Sequence, residues 1–594
     1  MAKKWHSSWQ LWLVGLPTVG LAACLILLCC VPPVSRDALT HHLTIPRLYL
    51  EIGLLQEIPW IKFSYYPQLL QLLYLGAIKL GNDMVPKLIH LAFGFGTAGL
   101  LFMYLKKRIS IAFGLFGALL FLSLPVIIRL ATSAYVDLGL IFFSFSAVIA
   151  LCKWIEKGCQ TKWLIIAGIL CGLALSTKYN GLITLFILTC SVPVLFIRCG
   201  PQTSFRQVRG LGYAIIFLAV ALSIFSPWMI RNTLWKGNPV YPLFNNVFNP
   251  QASQQECSLS PDSAYWECET RLGPFLKRKL VYDEAWWETA LIPIRIFFQG
   301  QDNDGRLFDG RLNPLLLVLP LAAFCIPRRR SGQEESRQEK LFFLLFAVLF
   351  LLSVFLQRDM RIRYTGPMLP PLIILSAWGL QRLIDWLGLA GHRGAQPGNL
   401  SDPYRSGPSK PERTAALFRW LPLLLIGTLL AGNGLYLGQQ LERVQPLGYL
   451  SGQTDRQEYI LKRRPEYAVY RFANTHLVHD ARLLGLFLGN RRYYLHRRTF
   501  CNLPYFEQLV RTSGTPKALA ASLQEDGITH IVLSLPLFKT WAKEAFPAGR
   551  QRLLQAFFRI EARKLYAENG FGLYALSRQP GTKRGAPAHL ARKQ

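Results

Sequence analysis

Apolar residues along this chain gather into runs of nearly constant length separated by short polar stretches. The runs are Leu11–Val31, Met84–Leu105, Ile109–Ile128, Ala134–Cys152, Trp163–Ser176, Gly181–Ile197, Leu211–Ile230, Leu312–Ile326, Leu341–Leu356, Thr365–Ile384 and Leu417–Leu437. A hydrocarbon layer roughly 30 Å thick needs about 20 helical residues to cross it. The pattern therefore predicts a polytopic α-helical membrane protein with about eleven transmembrane helices. Trp163–Ser176 and Leu312–Ile326 are short, and must tilt, extend into their flanks or re-enter the same face. The first run is too long for a signal peptide and lacks a small-residue cleavage site, so it reads as a retained helix.

Basic clusters assign the sides. Lys3 and Lys4, Lys106-Lys107-Arg108, Lys153 with Lys157 and Lys162, Arg198 with Arg206 and Arg209, and Arg328-Arg329-Arg330 fall on alternate connections, and Gly391–Arg413 has linker composition. The positive-inside bias makes these connections and the N-terminus cytoplasmic, and an odd number of spans puts the C-terminus outside. Two outer loops follow, 32–83 and 231–311, with a membrane domain over 1–437. Within the first loop, the aromatic stretch Pro59–Pro67 precedes Gln68–Leu80, too short to cross and suited to lie at the interface. Residues 438–594 form a soluble domain of ordinary size. Arg482–Leu488, Arg492–Leu495, Thr529–Ser534 and Arg563–Ser577 read as strands, and Lys517–Leu523 and Arg550–Phe558 as helices. Asn569-Gly570 predicts a hairpin turn. The tail is thus an extracytoplasmic α/β domain without a catalytic signature, suited to an accessory or acceptor-binding role.

Composition refines this picture. Of 594 residues, 51% are hydrophobic and 17% charged, and the formal net charge is +32. The bases flank the spans or lie in the C-terminal third, which points to membrane orientation and not to nucleic acid. Among the twelve cysteines, Cys24, Cys29, Cys30, Cys171 and Cys190 sit inside apolar runs, where the thiol acts as a small hydrophobe. Cys257 and Cys268 share the second outer loop; a disulfide and two free thiols are both open readings. Cys-x-x-Cys, His-Glu-x-x-His, P-loop and Gly-x-Ser-x-Gly patterns are missing, which removes the commonest redox, zinc-protease, ATPase and serine-hydrolase readings.

Candidate chemistry lies at the outer ends of the spans. Asp37 follows the first run within Ser35–Leu43, and Asp137 begins the fourth. A carboxylate so close to hydrocarbon needs a partner or a task. Helix capping is the competing role for Asp37, and the more economical one for Asp137 taken alone. Lys178-Tyr179-Asn180 separates the fifth and sixth runs, and Arg358, Arg361 and Arg363 precede the tenth. External cations against the usual bias fit an anionic ligand such as a phosphate, although Asp359 or lipid headgroups would also pair with them. His41 lies four residues after Asp37, a spacing that permits a shared divalent metal, with interfacial His41 and His42 as the plainer reading.

Asp37-Ala38-Leu39 with His42-Leu43 and Pro46, Tyr135-Val136-Asp137-Leu138, Gly172–Tyr179, Gly237–Pro242, and Arg363-Tyr364 with Leu369-Pro370-Pro371 resemble bacterial integral-membrane glycosyltransferases. Their superfamily uses lipid-phosphate sugar donors, has the GT-C fold, and includes protein O-mannosyltransferases and the aminoarabinose transferase of lipid A. The resemblance spans the membrane portion and, loosely, Gly452, Tyr459 and Tyr493-Tyr494 of the tail. It implies a bacterial inner-membrane transferase with a polyprenyl-phosphate-linked donor, and a lipid, glycan or protein acceptor. By position it makes Asp37 the base and Asp137 a second catalytic acid residue, and it places donor-phosphate contacts at Lys178, Arg361 and Arg363. His41, His42 and Tyr179 are then possible substrate or metal contacts. The first loop has Asp37-Ala38 where mannosyltransferases pair Asp with Glu, which leaves the sugar open. A flippase of lipid-linked sugars and a non-catalytic assembly protein are the alternatives; repeated halves or interrupted helices would mark the former.

Overall fold

The computed structural model describes residues 8–53, 56–202, 204–250, 273–326, 337–355, 360–387 and 411–577. Every hydrophobic run expected to span is helical. Among the described residues, five helices are long and apolar enough to cross a membrane: Val85–Arg108, Asp137–Glu156, Gly181–Cys199, Arg206–Lys236 and Arg337–Phe355. Ile109–Ile128, expected as one span, is instead Ile111–Ser123 and Pro125–Ala131, bent by 69°. The reason is Pro125: it disfavours helical geometry in the residue before it, and Leu124 is extended at φ −58°, ψ 130°. Thr161–Thr177 and Leu315–Cys325 are the short runs of the sequence and remain short apolar helices. Leu369–Trp386 and Pro411–Val444 supply the last two, the latter continuing through the expected domain boundary at Gly438.

Small residues set the closest approaches. A Cβ on Gly379 would lie 1.8 Å from the Leu319 carbonyl oxygen, so Leu369–Trp386 packs directly on the backbone of Leu315–Cys325. Gly181 closes the hairpin after Lys178-Tyr179-Asn180, and its Cβ would lie 2.6 Å from Leu175 Cα. Backbone cannot yield as a flexible side chain does. Gly181→Ala is therefore expected to cost about 2 kcal/mol, the middle of the overpacking range, and thermal unfolding in detergent measures it; an unchanged midpoint would show that the hairpin relaxes freely.

The tail carries a five-stranded sheet of order β2-β1-β3-β5-β4. Its strands are β1 Arg482–Leu486, β2 Arg498–Phe500, β3 His530–Ser534, β4 Ala562–Glu568 and β5 Phe571–Leu576. β2 and β3 flank β1 in parallel, and β5 runs antiparallel to β3 and β4. The predicted β4–β5 turn is present, with Asn569 at φ 51° and Gly570 at φ 80°, the positive angles that a tight hairpin demands. Arg492–Leu495, expected as a strand, is a turn, because its backbone groups are bonded to the first loop of the membrane domain instead of a neighbouring strand. The predicted helices appear within Pro516–Glu525 and Ala548–Ile560. Cys257, Cys268 and Arg358 lie outside the described residues.

The two parts share a core. Ala38, Leu39 and Leu43 of the first loop, with Leu70 and Tyr74 of the interfacial helix Leu69–Lys79, pack in one cluster with Val469, Tyr470, Tyr493, Tyr494 and Leu495. The sheet domain therefore sits at the end of the bundle that carries Asp37.

Candidate active site

Asp37 precedes a π-helical turn, Ala38–His42, in which Leu43 N–H donates to Ala38 O at 3.0 Å. Wide turns of this kind insert one extra residue and recur at functional sites. Asp37 occupies the cap position, yet its side chain caps nothing. Its Oδ2 lies 2.6 Å from Arg363 Nη1, and the carboxylate and guanidinium side chains are 21% and 15% exposed. Burial pushes the Asp37 carboxyl up, but the Arg363 guanidinium, together with His41 and His42, holds the group well below the usual carboxylate range. Asp37 is thus ionised and largely screened from bulk water.

Asp137 tells the same story from another element. It is the first residue of Asp137–Glu156 and also makes no cap. Its Oδ1 accepts from Lys178 Nζ at 2.7 Å, and the residue is only 2% exposed. Lys178 is presented by the C-terminal end of Thr161–Thr177, where Gly181 forces the sharp return.

Aromatic rings join the two pairs. Lys178 Nζ lies 4.8 Å and Arg363 Cζ 5.2 Å from the centre of the Tyr364 ring, and Arg363 is also 5.4 Å from the Tyr135 ring centre. The negative ring faces suit cations desolvated at this depth. Arg363 Nε has no acceptor among the described residues, so the guanidinium retains an unused donor. Two carboxylates and two cations from four separate segments therefore form one electrically balanced cluster.

His41 and His42 line its edge. His41 stacks on Phe63 with ring centres 4.1 Å apart and meets Thr40 Oγ1 at 2.9 Å, while His42 contacts Gln71 at 3.1 Å. Burial brings the His41 imidazole down to about 4 and His42 well below its usual value, so both are neutral near pH 7. Among the described residues, no three His, Cys, Asp or Glu side chains gather as a metal site. Asp37 and His41 share this π turn, and the Asp37 carboxylate pairs with Arg363.

The other two candidates face elsewhere. Arg361 is 3.6 Å from Asp309, which Arg129 also holds at 2.9 Å. The Tyr179 hydroxyl donates to Tyr241 O at 2.9 Å and fastens the Gly237–Pro242 segment. Arg231 and Asn232 complete that fastening through the Tyr65 carbonyl at 2.6 and 2.9 Å.

The chain resembles known proteins in part of its sequence and in its fold. Residues 78–233 match the sequence model of the family Dolichyl-phosphate-mannose-protein mannosyltransferase. The crystal structure of ArnT from Cupriavidus metallidurans in the apo state aligns over 96% of this chain and 98% of that one, with TM-score 0.50 and 15% identity. The same ArnT bound to undecaprenyl phosphate aligns with equal coverage, TM-score 0.50 and 14% identity. The chain has the GT-C glycosyltransferase fold. No curated protein matches its sequence.

Within this GT-C fold, one positioning residue escaped the sequence reading. His90, fully buried in Val85–Arg108, accepts the Leu138 N–H at 2.9 Å on Nε2. Its Nδ1 lies 2.9 Å from Ser133 O and 3.1 Å from Leu130 O, which fixes the tautomer with the proton on Nδ1. His90 thereby pins the turn that ends in Asp137. The available signal was an imidazole in the middle of an apolar run, expensive there without a partner.

Proposed function

We propose that this protein transfers a sugar from a polyprenyl-phosphate donor to an acceptor hydroxyl at the outer face of a bacterial inner membrane, with Asp37 as general base. The observation that carries this reading is the Asp37–Arg363 pair joined through Tyr364 to Asp137–Lys178. An ionised carboxylate beside two cations is what displacement of a phosphate from an anomeric carbon requires. The solved ArnT complex with undecaprenyl phosphate supports a lipid-phosphate leaving group.

The acceptor oxygen attacks the anomeric carbon as the bond from that carbon to the phosphate oxygen breaks. The acceptor proton passes to Asp37, and the bonding pair leaves with the polyprenyl phosphate. Arg363 and Lys178 stabilise the charge that grows on the departing oxygen. Asp137 holds Lys178 in place, and a single displacement inverts the anomeric centre, by analogy with inverting glycosidases.

Both cations are paired with carboxylates. A donor phosphate competes for Arg363 and Lys178, and as Arg363 turns to it Asp37 is released to act as base. Binding and activation are thus one event, which predicts donor-first kinetics. Mass spectrometry of surface lipids, glycans and glycoproteins from cells with and without the protein tests the reading. A sugar missing from one fraction identifies the acceptor class; identical glycans in every fraction, with the protein expressed, would overturn transfer.

A further inference from the structure

The sheet domain has no catalytic signature, yet it hydrogen-bonds to the backbone on both sides of Asp37. Before the carboxylate, Pro33 O accepts from the Tyr494 hydroxyl at 2.8 Å, and Val34 O accepts from Arg464 Nε at 2.6 Å and from its Nη2. After it, Leu39 O accepts from the backbone N–H groups of Arg492 and Tyr493, both at 3.1 Å. Arg47, about two turns further on, reciprocates by donating to Tyr493 O and, at 3.1 Å, to Leu495 O. A latch between Arg456 and Asp83 closes the far end of the same loop at 2.5 Å.

The π turn explains why these bonds are available. In an α-helix the Leu43 N–H would bond Leu39 O; here it is diverted to Ala38 O. The Leu39 carbonyl, fully enclosed, then needs other donors. It finds the Thr44 hydroxyl at 2.8 Å and the two tail amides. Without the tail, the wide turn would keep one donor for that carbonyl and lose most of its reason to differ from a regular helix.

The tail segment is also where an α/β domain is equipped to hold something. The connection leaving β1 goes to β2 on one side and that leaving its neighbour β3 goes toward β4 on the other, and such switch points place ligand-binding loops beyond the carboxyl ends of the parallel strands. The loop after β1 carries Leu488–Leu495, with Phe487, Gly489 and Asn490 at positive φ. What occupies this position in the present chain is the Asp37 turn.

We propose that the C-terminal sheet domain is a positioning element for Asp37, in which Arg464, Tyr494 and the Arg492-Tyr493 amides hold the π turn in the geometry that aims the carboxylate. The kinetic part of this inference rests on Asp37 being the base; the structural part does not.

The test uses full-length protein in lipid nanodiscs, with Tyr494→Phe, Arg464→Gln, their double variant and Arg464→Lys. Hydrogen exchange of the peptide spanning 35–43 is expected to accelerate about tenfold or more in the double variant, while β1 and β3 stay protected. Transfer should show kcat reduced about tenfold with donor KM within twofold, the split expected when an aim is lost and binding is kept. Arg464→Lys should recover part of the protection, and Arg511→Ala, at an exposed pair with Glu507, should behave as wild type. Unchanged exchange over 35–43 in the double variant would overturn the proposal. Exchange rising equally across the whole tail marks general unfolding, and Tyr494→Phe alone, the smallest change, then decides by the same peptide, unchanged exchange over 35–43 overturning the proposal. If wild-type protein transfers no sugar, the transferase reading fails, while the exchange result still decides whether the tail orders the turn.

Discussion

Asp37→Asn is expected to lower turnover by about 10³-fold, in the range for loss of a general base, while binding of polyprenyl phosphate is retained or tightened. The amide keeps the shape of the carboxylate and can still accept from Arg363, so the loop and its contacts persist. It cannot take a proton from the acceptor. It also competes less well for the guanidinium, and the phosphate meets a cation more easily released. Single-turnover transfer and equilibrium binding of undecaprenyl phosphate on the same preparation separate these effects. Retention of more than half the wild-type turnover would remove Asp37 from the role of base; loss of binding in step with turnover would make it a structural partner of Arg363 instead.

Much of this site was legible in the sequence because its ingredients are costly where they stand. Asp37, Asp137, Lys178 and Arg363 are ionisable groups at the ends of apolar runs, and alternation of the spans already put them on one side. The capping role weighed for both carboxylates failed for a physical reason: each has a cation within hydrogen-bond distance, which outcompetes a neutral N–H for its charge. Pairing itself was not readable, since Asp37 and Arg363 are brought together by packing across the bundle and not by any local spacing. Arg361 was grouped with Arg363 by proximity in sequence, but Arg361 is the extended residue before the 3-10 turn Ile362–Met368 that carries Arg363, and it turns to Asp309. The π turn was likewise invisible, because it depends on donors from residues 492 and 493, far along the chain. The same contacts explain why Arg492–Leu495, with good strand composition, is not a strand. Helical character was the most reliable feature of the apolar runs, and the bend at Leu124-Pro125 within one of them was signalled by the proline itself.

Arg363→Gln should change the pH profile as well as the rate. In the wild type, burial favours the neutral Asp37 carboxyl and the guanidinium, together with His41 and His42, more than reverses that, so the folded-state value lies below the unfolded one. A depressed carboxyl contributes stability that is present above the unfolded value, near 3.9, and is lost as pH falls through the lower folded value. Transfer by the wild type should therefore hold into acidic solution. With Gln at 363, the largest influence opposing burial is gone; the carboxyl rises, and the acid limb of kcat/KM moves toward neutrality. The base is then partly protonated where the wild type is fully active, and the leaving phosphate loses one of its two cations, so turnover near pH 7 should fall by about 10²–10³-fold. Stability should fall by about 3 kcal/mol, the lower figure for breaking a buried pair, because the carboxylate is not fully enclosed. Arg363→Lys restores charge without the planar fork, and should return the acid limb further than it returns the rate. Profiles of kcat/KM from pH 4 to 8 on the three proteins make the comparison; an acid limb in Arg363→Gln that superimposes on the wild type would show that the guanidinium does not set the ionisation of the base.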